Sequence, residues 1–348
     1  MAAPRRILLI QIVKLGDVLL SSALLDDLRA AWPDALIDVL TGPAALPLLA
    51  NHPLVSSIHT YREAQVPALW LAIRRAGYDV IVDVQSSAAS APLVWGSRAA
   101  VRVGWGIRAP WRWAYTRTLP RGGRDPEFVV RERRRLLETI QVPVGRTRPR
   151  LYLTDAERAQ AAHDWRALGL PAGRPLVGIS LSSSVPMKEW PVERWADVAD
   201  ALDNQGVQPV VLLATGDEAK AAVFAARTNA AVLVPPRDLR AFAAMLPALS
   251  AYVSPDTGPA HFAMALGVPT VTLYTPGNAK FWNPGDDDTV AIEAPSSPPC
   301  PECAIQPLAR REQLVHHCIP RIPVDAVVQA VVRLLDRRAA SARPVLLP

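Results

Sequence analysis

The feature that most restricts the fold is an alternation of short apolar runs with helix-like stretches along most of the chain. Ile7–Val13 is followed by a helical stretch from Asp17 to Ala31, and Leu36–Leu40 by a shorter one. Tyr78–Val84 reads as a buried strand, the small residues from Ser86 to Ala91 open a helix, and Val101–Trp105 ends the series. A second series begins near Pro175. Its strands are Leu176–Leu181, Pro209–Ala214, Ala251–Ser254 and Pro269–Tyr274. Its helices start at Pro191, Asp217, Arg237 and Gly258, and a last one spans Pro323–Arg338. Apolar runs without polar alternation suit strands covered on both faces, and helices between them suit parallel βαβ units.

At about 150 residues per domain, 348 residues make two domains. The expectation is α/β: two doubly wound, Rossmann-like domains with a cleft between them. The helix Thr154–Leu168 marks the join, dividing the chain into 1–168, 169–322 and a C-terminal helix and tail, 323–348. Ligands of such sheets bind at the carboxyl ends of strands, against helix N-termini.

Composition narrows the class. Half the residues are hydrophobic and 20% are charged, as in a globular rather than a disordered chain. Three cysteines, at 300, 303 and 318, exclude a disulfide scaffold and favour a reduced, cytoplasmic protein. No apolar run approaches the ~20 residues that a spanning helix needs, and the N-terminal run reads as a first strand rather than a signal peptide. The net charge is +6, yet only four of the 38 basic residues are lysines: Lys14, Lys188, Lys220 and Lys280. Where bias has turned ordinary lysines into arginines, those that remain draw notice. Residues 98–150 hold fourteen arginines against four acids, which suggests an anionic partner. Trp95, Trp105, Trp111 and Trp113 lie in or beside that stretch, a mixture suited either to an anionic membrane surface or to packing on arginine stems.

Three strings at strand ends carry the chemistry. Lys14-Leu15-Gly16-Asp17 follows the first strand; the glycine permits a tight turn, and Asp17 is either a catalytic carboxylate or a helix cap. Ser182-Ser183-Ser184 with Lys188 follows the first strand of the second half and offers hydroxyls and a point charge to a diphosphate. Asp256-Thr257-Gly258-Pro259-Ala260-His261 opens a helix after a buried strand, so its amides, hydroxyl and imidazole can meet an anion at the positive end of the helix dipole. No Gly-x-Gly-x-x-Gly, P-loop or Gly-x-Ser-x-Gly string occurs, which disfavours a nicotinamide dehydrogenase, a P-loop NTPase and an α/β-hydrolase. Cys300-Pro-Glu-Cys303 with His316, His317 and Cys318 has only part of a zinc spacing and reads as reduced thiols, so no metal is expected.

Taken together these residues resemble glycosyltransferase family 9, the ADP-heptose:lipopolysaccharide heptosyltransferases. The resemblance rests on Arg6-Ile-Leu-Leu-Ile, Gly16-Asp17-Val-Leu-Leu, Pro33-Asp34-Ala-x-Ile-Asp38, Lys188-x-Trp190-Pro191-x-x-x-Trp195, Asp256-Thr257-Gly258-Pro259-x-His261 and Ala265-Leu-Gly-x-Pro269. It implies a GT-B fold with an N-terminal acceptor domain and a C-terminal nucleotide-sugar domain, and an inverting, metal-independent transfer. It also implies Asp17 as general base, Lys188 on the leaving diphosphate, the Asp256–His261 segment on donor phosphate and sugar, and Glu218 on the ribose. Lys14, Gly16, Arg102, Arg108 and Arg112 are the expected acceptor contacts. The implied partners are a nucleotide sugar and an anionic inner-core glycolipid, with peripheral contact to the inner membrane and no nucleic acid. A different nucleotide sugar on the same fold, or sugar-nucleotide binding without turnover, are the competing readings.

Overall fold

The computed structural model describes residues 3–106, 111–120, 127–146, 148–183, 185–235, 237–297 and 318–340. The chain divides into two compact units, Met1–Tyr152 and Leu153–Pro348.

Each unit is built on a six-stranded parallel sheet. In the first, β1 (Arg6–Ile10), β2 (Leu36–Thr41), β3 (Ser57–Thr60), β4 (Val80–Asp83), β5 (Val101–Trp105) and β6 (Arg117–Leu119) lie in the order β3-β2-β1-β4-β5-β6. In the second, β7 (Leu176–Ile179), β8 (Gln208–Leu212), β9 (Val232–Val234), β10 (Ala251–Pro255), β11 (Thr270–Tyr274) and β12 (Thr289–Glu293) lie in the order β12-β11-β10-β7-β8-β9. Numbered within each unit, the two sheets have one topology. The strand order reverses between β1 and β4 in the first and between β7 and β10 in the second. These are the switch points beside which ligands bind in doubly wound sheets.

The inner strands are apolar runs because both faces are covered: Ile7, Leu8, Leu9 and Ile10 are buried, as are all five residues of β10 and of β11. The four strands that apolar patterning misses, β3, β6, β9 and β12, are the outer strands of the two sheets. They are short or half-exposed, so they need no continuous apolar run.

The join lies at Tyr152/Leu153, ahead of the helix Asp155–Ala167 rather than after it at 168. Thr154 and Glu157 form a capping box on this helix. The helix is fastened to the second unit. Trp165 Nε1 donates to the carbonyl oxygen of Met245 at 3.1 Å, and Arg240 binds both carboxylate oxygens of Glu157 at 2.6 and 2.5 Å, which lowers the Glu157 pKa to about 2. Sequence periodicity shows that this helix exists but not which core it joins.

Candidate functional site

Both switch points carry clusters of ionisable side chains at the carboxyl ends of their strands. In the first unit, β1 runs through Gln11–Lys14 into the helix Leu15–Ser21. The left-handed turn is made by Lys14, at φ 50°, and Gly16 sits within the first helical turn, so the tight turn assigned to glycine belongs to lysine instead. Asp17 is not a cap. It is the third helical residue, and its carboxylate Oδ1 pairs with Arg133 Nη2. Arg133 Nη1 also donates to the Asp17 carbonyl at 2.7 Å and to Ser21 Oγ at 2.9 Å. Arg133 lies on the helix Val129–Glu138 and is only 6% exposed, so it fixes both the carboxylate and the helix that carries it.

The loop is held from β4 as well. Gln85 Oε1 accepts from the backbone of Ile12 and Val13, at 3.3 and 3.2 Å, and from Gln11 Nε2 at 2.8 Å. From the far side, Gly42 N donates to Ile12 O, and a Cβ at Gly42 would stand 2.7 Å from that oxygen. Beside this loop, in register with Ile10, is the fully buried Asp83. Burial raises its pKa to about 6, although Ser86 N and Tyr115 OH donate to its carboxylate at 2.8 and 2.7 Å.

In the second unit, the loops after β7, β8 and β10 converge. Lys188 Nζ lies 2.6 Å from Asp256 Oδ2, joining the two strings read from the sequence. Trp190 and Trp195 bury fully and meet edge-to-face at 4.8 Å, so the loop that carries Lys188 is anchored by indoles in the core. Ser182 Oγ donates to the buried Asp217 and accepts from Lys220 Nζ at 3.1 Å. Lys220 also pairs with Glu189 at 2.5 Å, and Glu189 accepts from the Ser183 amide at 3.3 Å. Thr257 is the N-cap of the helix Gly258–Ala265, without a side-chain cap bond, so the amino end of that helix is not closed by its own residues. His261 is buried with its ring against Trp282, 6.0 Å between centroids. Glu218 is exposed at the start of the helix that follows β8.

Lys220 was not singled out by motif, although lysine scarcity marked it. All four lysines lie in or just after the loops that leave the carboxyl ends of strands, after β1, β7, β8 and β11. Arg133 carried no such mark, because it is one arginine among many.

Several expected acceptor contacts fare differently. Arg102 lies low on β5, beside Ile81 of β4, which in turn faces Leu8 of β1; it is therefore two residues short of the row that ends β1. Its Nε and Nη1 donate to the carbonyls of Ala114 and Ala99, both at 2.6 Å. This is a structural clamp away from Asp17, and the expectation that Arg102 touches acceptor is corrected. Part of the arginine excess is likewise internal, since Arg133 and the buried Arg134 neutralise Asp17 and Asp27. Arg112 is exposed in the short turn Trp111–Ala114. Arg108, Ser184, Cys300, Cys303, His316 and His317 lie outside the described residues; Cys318 is buried. Among the described residues no cluster of His, Cys, Asp or Glu could hold a metal ion, and no helix is long and apolar enough to cross a membrane.

Comparison with known proteins agrees with this arrangement. The chain is 27% identical over 291 residues to lipopolysaccharide heptosyltransferase 2 of Salmonella typhimurium, covering 77% of this chain and 82% of that protein. A family 9 glycosyltransferase of Veillonella parvula superposes with a TM-score of 0.81 at 22% identity, covering 96% of this chain and 97% of that one. The E. coli ADP-heptose lipopolysaccharide heptosyltransferase II superposes with a TM-score of 0.77 at 22% identity, covering 96% and 99%. These likenesses establish the GT-B fold. The model of glycosyltransferase family 9 (heptosyltransferase) matches residues 66–308, well over half of the sequence, and the chain belongs to that family of glycosyltransferases.

Proposed function

We propose that this protein transfers heptose from ADP-heptose to a lipopolysaccharide-core acceptor with inversion at the anomeric carbon. The observation that carries the reading is the convergence of Lys188, Asp256, Ser182 and the uncapped helix start at Thr257 on one switch point. A diphosphate needs cations, hydroxyls and free amides together, and this is where the second sheet collects them.

In this reading Ser182, Ser183, Ser184, Thr257, Gly258 and His261 hold the donor phosphates. Asp256 keeps the Lys188 ammonium positioned until the diphosphate takes it over, and Glu218 meets the ribose. Lys14, Gly16 and Arg112, with Arg108, serve the acceptor. Asp17 accepts the proton of the attacking hydroxyl as the new glycosidic bond forms and the bond from the anomeric carbon to the diphosphate breaks. The departing ADP carries the released electron pair, and Lys188 and the helix amides stabilise its charge.

Arg133 gives the base role a cost and a use. Its guanidinium stabilises the ionised carboxylate, which keeps Asp17 ready at neutral pH but lowers its pull on a proton. The same clamp fixes the direction of the carboxylate, the geometric requirement of a general base.

The test is ADP release from ADP-heptose, with and without a heptose-deficient lipopolysaccharide acceptor, beside UDP- and GDP-sugars. Acceptor-dependent ADP release is expected, and Asp17→Asn should lower it about 10²- to 10⁴-fold while donor binding persists. Turnover of another donor in its place would overturn the sugar assignment. An unaffected rate in Asp17→Asn would remove Asp17 from the base role.

A further inference from the structure

One face of the first unit takes no part in the chemistry above. It is formed by the helix Val66–Ala76, the helix Ala91–Gly96 and the turn Trp111–Ala114, which packs on the second of these. A pocket of about 610 Å³ opens there, lined by Trp70, Arg74, Trp95, Gly96, Arg98 and Arg102. Its lining holds three guanidinium groups and no carboxylate. Among the described residues, none of the three arginines pairs with an acid, in contrast with Arg133 and Arg134 of the same unit.

The pocket is built rather than incidental. Arg74 lies over the Trp70 ring at 5.3 Å. A Cβ at Gly96 would stand 1.7 Å from Trp70 Nε1, so the two helices meet closely only because residue 96 is glycine. Arg98 holds a left-handed backbone, φ 60°, that an arginine rarely adopts. Arg102 is fixed by two carbonyls, and burial lowers its pKa, so its cation is poorly solvated.

Around the pocket the surface is apolar in an unusual way. Trp95 is 61% exposed and Trp113 is 65% exposed, and Leu71 is exposed on the adjacent helix. Large indoles are normally covered; exposed beside cations, they match the interface of a bilayer, where the ring lies at headgroup level and the guanidinium meets phosphate. A soluble phosphate would account for the arginines but leave both indoles without a role.

We propose that this face docks on an anionic phospholipid bilayer, the Arg74–Arg98–Arg102 pocket receiving a lipid phosphate and Trp95 and Trp113 entering the headgroup layer. The inference is independent of the donor, the acceptor and the role of Asp17. Removing one arginine near a charged membrane weakens binding about fivefold, so removing two weakens it about 25-fold.

The experiment is vesicle flotation of the full chain without nucleotide sugar. The vesicles are phosphatidylcholine alone, phosphatidylcholine with phosphatidylglycerol, and phosphatidylcholine carrying the glycolipid acceptor. Wild type should float with phosphatidylglycerol vesicles, lose binding as salt rises and ignore phosphatidylcholine alone. The pair Arg74→Gln with Arg98→Gln should lose about 25-fold, and Trp95→Ser with Trp113→Ser should weaken binding with circular dichroism unchanged. Arg102 is left intact because it clamps the backbone. Binding equal on neutral vesicles, binding that requires the glycolipid acceptor, or a glycerol phosphate affinity as sensitive to the arginine pair as vesicle binding would each overturn the proposal. So would folded variants that bind as wild type does.

Discussion

The two switch points share a topology but hold their charges in opposite ways. In the first unit the Arg133–Asp17 pair is nearly sealed, with side chains 7% and 18% exposed. In the second, Lys220 and Glu189 are each about 30% exposed, and the Lys188 ammonium reaches a buried Asp256 from a partly open position. A buried arginine–carboxylate pair is a fixture, because breaking it strands a charge away from water. A lysine on a flexible stem beside a carboxylate can exchange partners at little cost. The first edge is thus built to hold one carboxylate in one direction. The second is built to give up its cations to an incoming anion.

The largest expected effect tests the first half of this contrast. Asp17→Asn should cost transfer about 10²- to 10⁴-fold in kcat, with ADP binding by calorimetry unchanged. A parallel loss of ADP affinity would mean that the two edges are not separable.

Next, Arg133→Met should lower unfolding stability by about 3–5 kcal/mol, because Asp17 is left charged and partly buried. The double variant Asp17→Asn with Arg133→Met should lose clearly less than the sum of the singles. Strict additivity in chemical denaturation would show that the pair is not coupled.

A pH test follows from Asp83. Its carboxyl is raised from 3.8 to about 6, so between those values the folded chain holds a proton that the unfolded chain has released. The stability this group contributes is therefore present at low pH and is lost as pH rises from about 4 to about 6, by roughly 3 kcal/mol in all. Asp83→Asn should remove that slope. A denaturation midpoint difference between variant and wild type that stays constant from pH 4 to 7 would contradict the buried carboxyl.

The smallest effect separates the two lysines of the second edge. Lys220→Met should weaken ADP binding about tenfold or less, since its pair with Glu189 is largely solvated. Lys188→Met should weaken it more, because it also leaves Asp256 buried and unpaired. Equal losses would place both ammonium groups on the diphosphate and erase the distinction between them.

Much of the fold was legible because its inner strands are covered on both faces and so must be apolar runs. The outer strands escaped for the converse reason: Arg117–Leu119 is largely exposed and three residues long, so no pattern marks it. The candidate site divides in the same way. Asp17, Lys188 and Asp256–His261 stand in short strings at strand ends, where chain geometry alone predicts a ligand. Arg102 was misplaced because arginine density has no address: position along a parallel strand, low or high, decides whether a side chain reaches the carboxyl edge.

The sequence by itself determined two doubly wound sheets and the loops that carry their chemistry, since apolar period and turn residues are local properties of the chain. Tertiary structure decided which charges meet. Arg133 and Asp17 are separated by 116 positions, and Lys188 and Asp256 by 68, and no local pattern encodes such pairs. They form because a buried charge must find its partner wherever the packing of helices and strands brings one within reach.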